Sequence, residues 1–247
     1  MYVNRTYRDN VAKGLMSFRT CVKETDLFIS VDKESFCDKL SRRVEKRIMA
    51  HRYDLESYID KDPDFKLTLN PHPVLPGAPV IAEAMAASAN LAGVGPMAAV
   101  AGAFAEFVGR DLMKVCAEVI VENGGDIFMY STRNRLAGVF AGDSPFTGKI
   151  AIEIPAVVMP AGVCTSSGTV GPSLSMGQAD AAIIIAGSAI LADAAASAAG
   201  NVVQTKKDVK NGVEIAKSIP GVLGAVIIKG DQLAAWGEFN IVRTQTP

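Results

Sequence analysis

Apolar positions Phe36, Leu40, Val44, Ile48, Leu55 and Ile59 recur at helical spacing, and they predict one amphipathic helix from about Glu34 to Ile59. Lys61-Asp62-Pro63 stops it. Ahead of it, Phe18 to Lys23 and Leu27 to Val31 read as strands around a turn at Glu24-Thr25-Asp26. The proline-rich segment Lys66 to Pro79 reads as a surface loop. Pro79 opens a second helix, which Asn90 and Gly93 end. Gly93-Val94-Gly95-Pro96 then turns into a third, Pro96 to Met113, rich in alanine. From Ala117 the period changes to two: strands on either side of Glu122-Asn123-Gly124-Gly125-Asp126 form a hairpin, since Asn-Gly supplies the positive φ of a tight turn. Further strands are predicted at Leu136 to Ala141, Lys149 to Ile154, Ala181 to Ala186, Ala225 to Lys229 and around Leu233 to Trp236. A tail frays from Thr244.

Paired strands alternating with helix pairs argue an α+β fold, with helices on one side of antiparallel sheets. The 247 residues are read as a single domain, 1–247. Formal net charge is −1, which leaves no broad basic footprint for nucleic acid or anionic membrane. Arg42, Arg43, Lys46 and Arg47 share the first helix, and the interleaved Glu45 makes a solvated face the expectation there. The N-terminus lacks the apolar core of a signal peptide. The apolar run between Asp180 and Asp193 is too short to span a bilayer, so a cytoplasmic location is expected. Four cysteines without CxxC pairing and two histidines, His51 and His72, indicate neither a zinc site nor a disulfide framework. Gly142 to Lys149 fails the P-loop spacing, and Gly171 to Ser175 fails the nucleophile-elbow pattern.

Candidate chemistry concentrates between Ala161 and Asn201. A loop of small hydroxyl and glycine residues, Cys164 to Gly171, leads to the apolar run, and Gly187-Ser188 then opens a helix of small residues. In that helix Asp193 and Ser197 are four apart and project from one face. A carboxylate and a hydroxyl facing glycines and hydroxyls suit a hard cation and a phosphate. The alternative is a buried helix whose Asp and Ser cap neighbouring backbone. Cys164 has no Lys, Arg or His between Ile150 and Val203 to activate it, so it is expected to be structural.

VENGGDI, GVGPMAAVAGAFAE, GVCTSSGTVG and ADAAASAAGN, in that order, resemble an uncharacterised family of ApbE-like proteins, distantly similar to the magnesium-dependent FAD:protein FMN transferases. The resemblance implies two pseudo-equivalent lobes of antiparallel sheet in a T-fold arrangement, with a site between them. It implies metal ligation by Asp193 and Ser197, which match the transferases' D-A-x-x-T helix. It further implies magnesium together with FAD or another nucleotide, near Gly93, Gly95, Asn123, Gly124, Gly125, Asp126, Thr165, Ser166, Ser167, Gly168 and Thr169. The transferases' lysine is missing from Gly95 to Ala105, and Thr169 to Gly177 lacks their His and Asp. Two functions therefore stay open. One is FMN transfer from FAD to a hydroxyl of a protein acceptor, with Glu122, Asp126 or Asp180 taking the proton. The other is a ligand-binding or assembly protein without transfer. A homo-oligomer is compatible with either.

Overall fold

Alternation along the strands sets the layers. In Ala181–Ala186 (β8), Ala182, Ile184 and Ala186 face one core while Ala181, Ile183 and Ile185 face another. Every residue of this strand is buried, as expected of a strand covered on both faces. The computed structural model describes residues 14–169 and 175–244. Its main sheet is antiparallel throughout, with strand order β1-β2-β3-β4-β7-β8-β9-β10. These strands are Leu15–Val22 (β1), Thr25–Asp32 (β2), Val119–Asn123 (β3), Asp126–Tyr130 (β4), Ala161–Ser166 (β7), β8, Val222–Lys229 (β9) and Gln232–Gly237 (β10). Between β4 and β7 the chain makes Arg135–Gly138 (β5) and Ile150–Ile154 (β6), which join Asn240–Arg243 (β11) in a separate three-stranded sheet.

The helices are Lys39–Ile59 (α1), Pro63–Leu67 (α2), Val80–Ala92 (α3), Val100–Leu112 (α4), Ala189–Asn201 (α5) and Val209–Ser218 (α6). They share one core with one face of the main sheet, through residues such as Ile48, Met85, Leu112, Phe128 and Ile184. The three-stranded sheet covers the other face through Ile152, Ile154, Met129, Ile183 and Ile228. The helices do lie on one side, as expected, and the second layer of strands is an addition the pattern did not announce.

The order strand-strand-helices-strand-strand occurs twice, as β1-β2…β3-β4 and as β7-β8…β9-β10, so the chain has the expected two halves. They meet at one seam of three residue pairs, Ile127 with Val163, Phe128 with Gly162 and Met129 with Ala161. Helix limits follow local chemistry: Pro79 caps α3, and Gly93 ends it in the left-handed region, φ 73°. Expectation and structure differ at the C-terminus. Asn240–Arg243 pairs with β6, and the Thr244 N–H donates to the Lys149 carbonyl at 2.9 Å, so Thr244 is anchored. Residues 245–247 of the expected tail lie outside the described residues.

Candidate functional site

The seam between the halves gathers most of the chemistry. The β3–β4 hairpin turns on Gly124 and Gly125, with φ of 71° and 112°, which residues bearing a Cβ rarely adopt. Glu122 braces this turn by accepting from the Gly125 N–H at 2.8 Å. The Asn123 side chain donates to the Ala101 carbonyl at 3.0 Å, tying the hairpin to the start of α4. At the next position, Gly102, a Cβ would collide with the Ala189 carbonyl and the Asp193 Cβ. That close crossing lets the Gly102 N–H donate to Asp193 Oδ2 at 2.8 Å. Asp126 is buried, and its Oδ1 accepts from the Thr165 N–H at 3.3 Å across the β4–β7 seam.

Asp193 therefore caps backbone, as the plainer reading of the sequence expected, but its charge is poorly compensated. Burial, and after it the Asp126 carboxylate, push the Asp193 carboxyl well above the usual carboxylate range, against hydrogen bonds from Gly102 and Ala101. Ser197 follows one turn later on the same helix, half-buried. Among the described residues no three His, Cys, Asp or Glu side chains come together as a metal site. The protein side of such a site would be the carboxylates of Asp193 and Asp126 and the Ser197 hydroxyl. Magnesium accepts such a partial set, because it is bound through one or two carboxylates, waters and substrate phosphates. The all-oxygen donors and the uncompensated negative charge fit that cation.

The remaining predicted residues divide. Thr165 and Ser166 belong to strand β7 rather than to a loop, a correction that follows from their pairing with Ile183 and Ala182. The loop's backbone is largely engaged within the protein: Gly168 N–H donates to the Ala179 carbonyl at 2.9 Å and Thr169 N–H to Ser167 Oγ at 3.2 Å. Any anion contact there falls to side-chain hydroxyls instead. Thr169 turns away, donating to Asp180 Oδ1 at 3.1 Å. Burial opposes ionisation of Asp180, yet the Gly230 N–H, Lys229 and Thr169 hold its carboxyl below the usual range. Gly93 is a helix cap, and Gly95 lies against the Thr68 backbone, where a Cβ has no room. Val170 to Leu174, which include Gly171, lie outside the described residues.

Cys164 is fully buried and donates to the Ala189 carbonyl at 3.3 Å. Burial, then the charges of Asp126 and Asp193, push its thiol well above its ordinary value, so it is structural, as expected. His72 Nε2 lies 3.0 Å from Asp62 Oδ2, which in turn accepts from the Tyr58 hydroxyl at 2.9 Å; the group pins the proline-rich loop. The sequence reading missed Glu106. This buried side chain accepts from the Ser188 hydroxyl and the Ala189 N–H, both at 2.7 Å, and from the Ile190 N–H at 3.3 Å. It thereby caps α5, the helix that carries Asp193. An acid in the middle of one helix gives no sequence sign of capping another 82 residues on.

Residues 8–220 match the family described as AbpE bacteria. The UPF0280 protein of Methanosarcina acetivorans is 38% identical over 219 residues, covering 88% of this chain and 85% of that protein. The UPF0280 protein of Methanococcus vannielii is 37% identical over 237 residues, covering 94% of each chain. Among solved structures, the fold is similar to the Pseudomonas stutzeri flavinyl transferase ApbE in its apo form, with a TM-score of 0.58, 14% identity and 94% of each chain covered. It is also similar to the flavin transferase ApbE from Vibrio cholerae, with a TM-score of 0.54, 12% identity, and 94% and 97% of the two chains covered.

Proposed function

This chain belongs to the bacterial AbpE family, and on that footing we propose that it binds a flavin nucleotide together with magnesium at the seam between its halves. One observation carries the reading: the half-buried Asp193 carboxyl is pressed by Asp126 where Gly102 lets α4 cross α5 closely and Asn123 ties the β3–β4 hairpin to α4. Asp193 and Ser197 would hold the cation, which when bound neutralises phosphate charge, with the Asp126 carboxylate beside it. On β7 the Ser166 hydroxyl faces α5, while Thr165 projects to the other side of the sheet. The likeness to flavin transferases supports a flavin nucleotide, and the sequence resemblance adds FAD as the donor and a protein hydroxyl as acceptor.

In that reaction the acceptor oxygen forms a bond to the FMN phosphorus, the pyrophosphate bond breaks, and AMP leaves. The acceptor's proton needs a base. Glu122 is occupied in bracing its turn, and Asp180 is held by Lys229, Gly230 and Thr169. Asp126 is the candidate beside Asp193. A second reading, binding without transfer, is favoured by the stretch Thr169 to Gly177, which has neither His nor Asp. Calorimetric titration of FAD, FMN and ADP, each with and without magnesium, tests the binding reading. We expect magnesium-dependent binding that Asp193→Ala removes, and absence of binding at millimolar nucleotide would sink it. Appearance of AMP from FAD in the presence of acceptor peptides separates transfer from binding alone.

A further inference from the structure

The first two and a half turns of α1 concentrate positive charge. Lys39, Arg42, Arg43, Lys46 and Arg47 recur at i, i+3, i+4, i+7 and i+8, so they share one face. The opposite face is fixed in the core by Leu40, Val44 and Ile48, which prevents the helix from turning the cations apart. Among the described residues, those five side chains alone line a surface hollow of about 530 Å³. Arg43 and Arg47 reach Asp111 at 3.4 and 2.9 Å, and Lys114 reaches the same carboxylate at 3.2 Å. Lys39, Arg42 and Lys46 have no ion pair among the described residues.

Local stability explains Arg43 and Arg47, which share the buried Asp111, but not Lys39, Arg42 and Lys46. Lys39 with Arg43, Arg42 with Lys46 and Arg43 with Arg47 are like-charge i,i+4 pairs, each unfavourable by about 0.2–0.5 kcal/mol. The first turn contains no acid, so cations sit at the helix end where the backbone dipole is already positive. A surface helix that breaks these rules together, in a chain of net charge −1, is a candidate for function.

We infer that this face of α1 docks an acidic polypeptide segment of a partner protein. The row spans about 12 Å, from eight residue steps of 1.5 Å, with neighbouring cations about 5–6 Å apart. Acidic side chains on one side of an extended segment recur about every 6.6 Å, a comparable spacing. Nucleic acid is disfavoured because the positive charge is confined to one short face of an acidic chain with a pI near 6.2. A lone small phosphate is disfavoured because Lys39, Arg42 and Lys46 are exposed, and screened contacts to one small anion are each weak. Several simultaneous contacts along a chain meet both conditions.

The inference stands apart from the nucleotide reading and is tested on the full chain with a fluorescein-labelled octaglutamate peptide, followed by anisotropy. We expect binding in 25 mM NaCl that is lost by 300 mM. Arg42→Glu with Lys46→Glu should weaken it at least tenfold, while Lys210→Glu with Lys217→Glu on α6 should change it less than twofold. The α1 variant should unfold at a denaturant concentration close to the parent's, because the Arg42–Lys46 repulsion is exchanged for one between two acids at the same spacing while an acid at position 42 suits the helix N-terminus. Peptide affinity untouched by the α1 reversal would overturn the inference. So would displacement of the peptide by octathymidylate or tripolyphosphate at lower concentration than by unlabelled octaglutamate.

Discussion

Glu106→Ala probes the support of the site without touching its proposed ligands. The carboxylate accepts from the Ser188 hydroxyl and from the Ala189 and Ile190 N–H groups at the start of α5. Its removal leaves two buried N–H donors without a partner, at about 1–3 kcal/mol each. The Ser188 hydroxyl can rotate to another acceptor and adds little. The ion pair to Arg110 also adds little, under about 1 kcal/mol, because Arg110 is 51% exposed. The sum is a loss of about 2–6 kcal/mol, or on the order of 10 °C in melting temperature for a chain of this size. Glu106→Gln keeps one acceptor oxygen and should lose about half as much. Urea denaturation gives the totals, and amide exchange at Ala189 and Ile190 locates the effect at the start of α5. The controlling comparison is Arg110→Ala, which should cost under about 1 kcal/mol. If Glu106→Ala costs no more than Arg110→Ala, the capping argument is wrong.

Three further outcomes follow from the same geometry. Gly102→Ala should destabilise by about 1–3 kcal/mol and weaken magnesium-dependent FAD binding, because the new methyl meets the Ala189 carbonyl; denaturation and calorimetry read the two effects. Burial opposes ionisation of Asp32, but hydrogen bonds from Ser35, Glu118 and Ala117 outweigh it and hold the carboxyl below its usual value. A carboxyl depressed in the folded state contributes stability above its unfolded value, near 3.8, that is lost as pH falls through the folded one. Asp32→Asn should therefore lose less stability than the parent between pH 6 and pH 3, as followed by urea midpoints. Cys164 should resist iodoacetamide at neutral pH in the folded protein while exposed Cys21 and Cys37 react, which peptide mapping by mass spectrometry reports.

What the sequence disclosed was mostly local. The β3–β4 hairpin was readable because Asn-Gly-Gly-Asp specifies its own turn, and the limits of α3 because Pro79 and Gly93 act on their immediate neighbours. The strand Ala161–Ser166 was partly misassigned, since threonine and serine read as loop residues until the pairing with β8 gives them a ladder. Strand β11 escaped for a similar reason: four residues near the end of the chain become a strand only against β6. Asp126 and Asp193 stood out by motif, but their mutual repulsion is a property of burial and of the seam, which no spacing encodes. Glu106, Asp32 and Lys229 act on residues dozens of positions away, so their roles emerge only once the helices are packed on the sheet.

The central claim is that Asp193 and Asp126 present negative charge for a divalent cation that arrives with a nucleotide. Manganese(II) can stand in for magnesium, and its free form gives a sharp electron paramagnetic resonance signal that is lost on binding. Titrating the protein into manganese with FAD present should remove that signal stoichiometrically, removal should be weak without FAD, and Asp193→Asn should restore the free signal while the protein stays folded. A free-manganese signal unchanged by protein and FAD together, or equally lost with Asp193→Asn, would contradict the account.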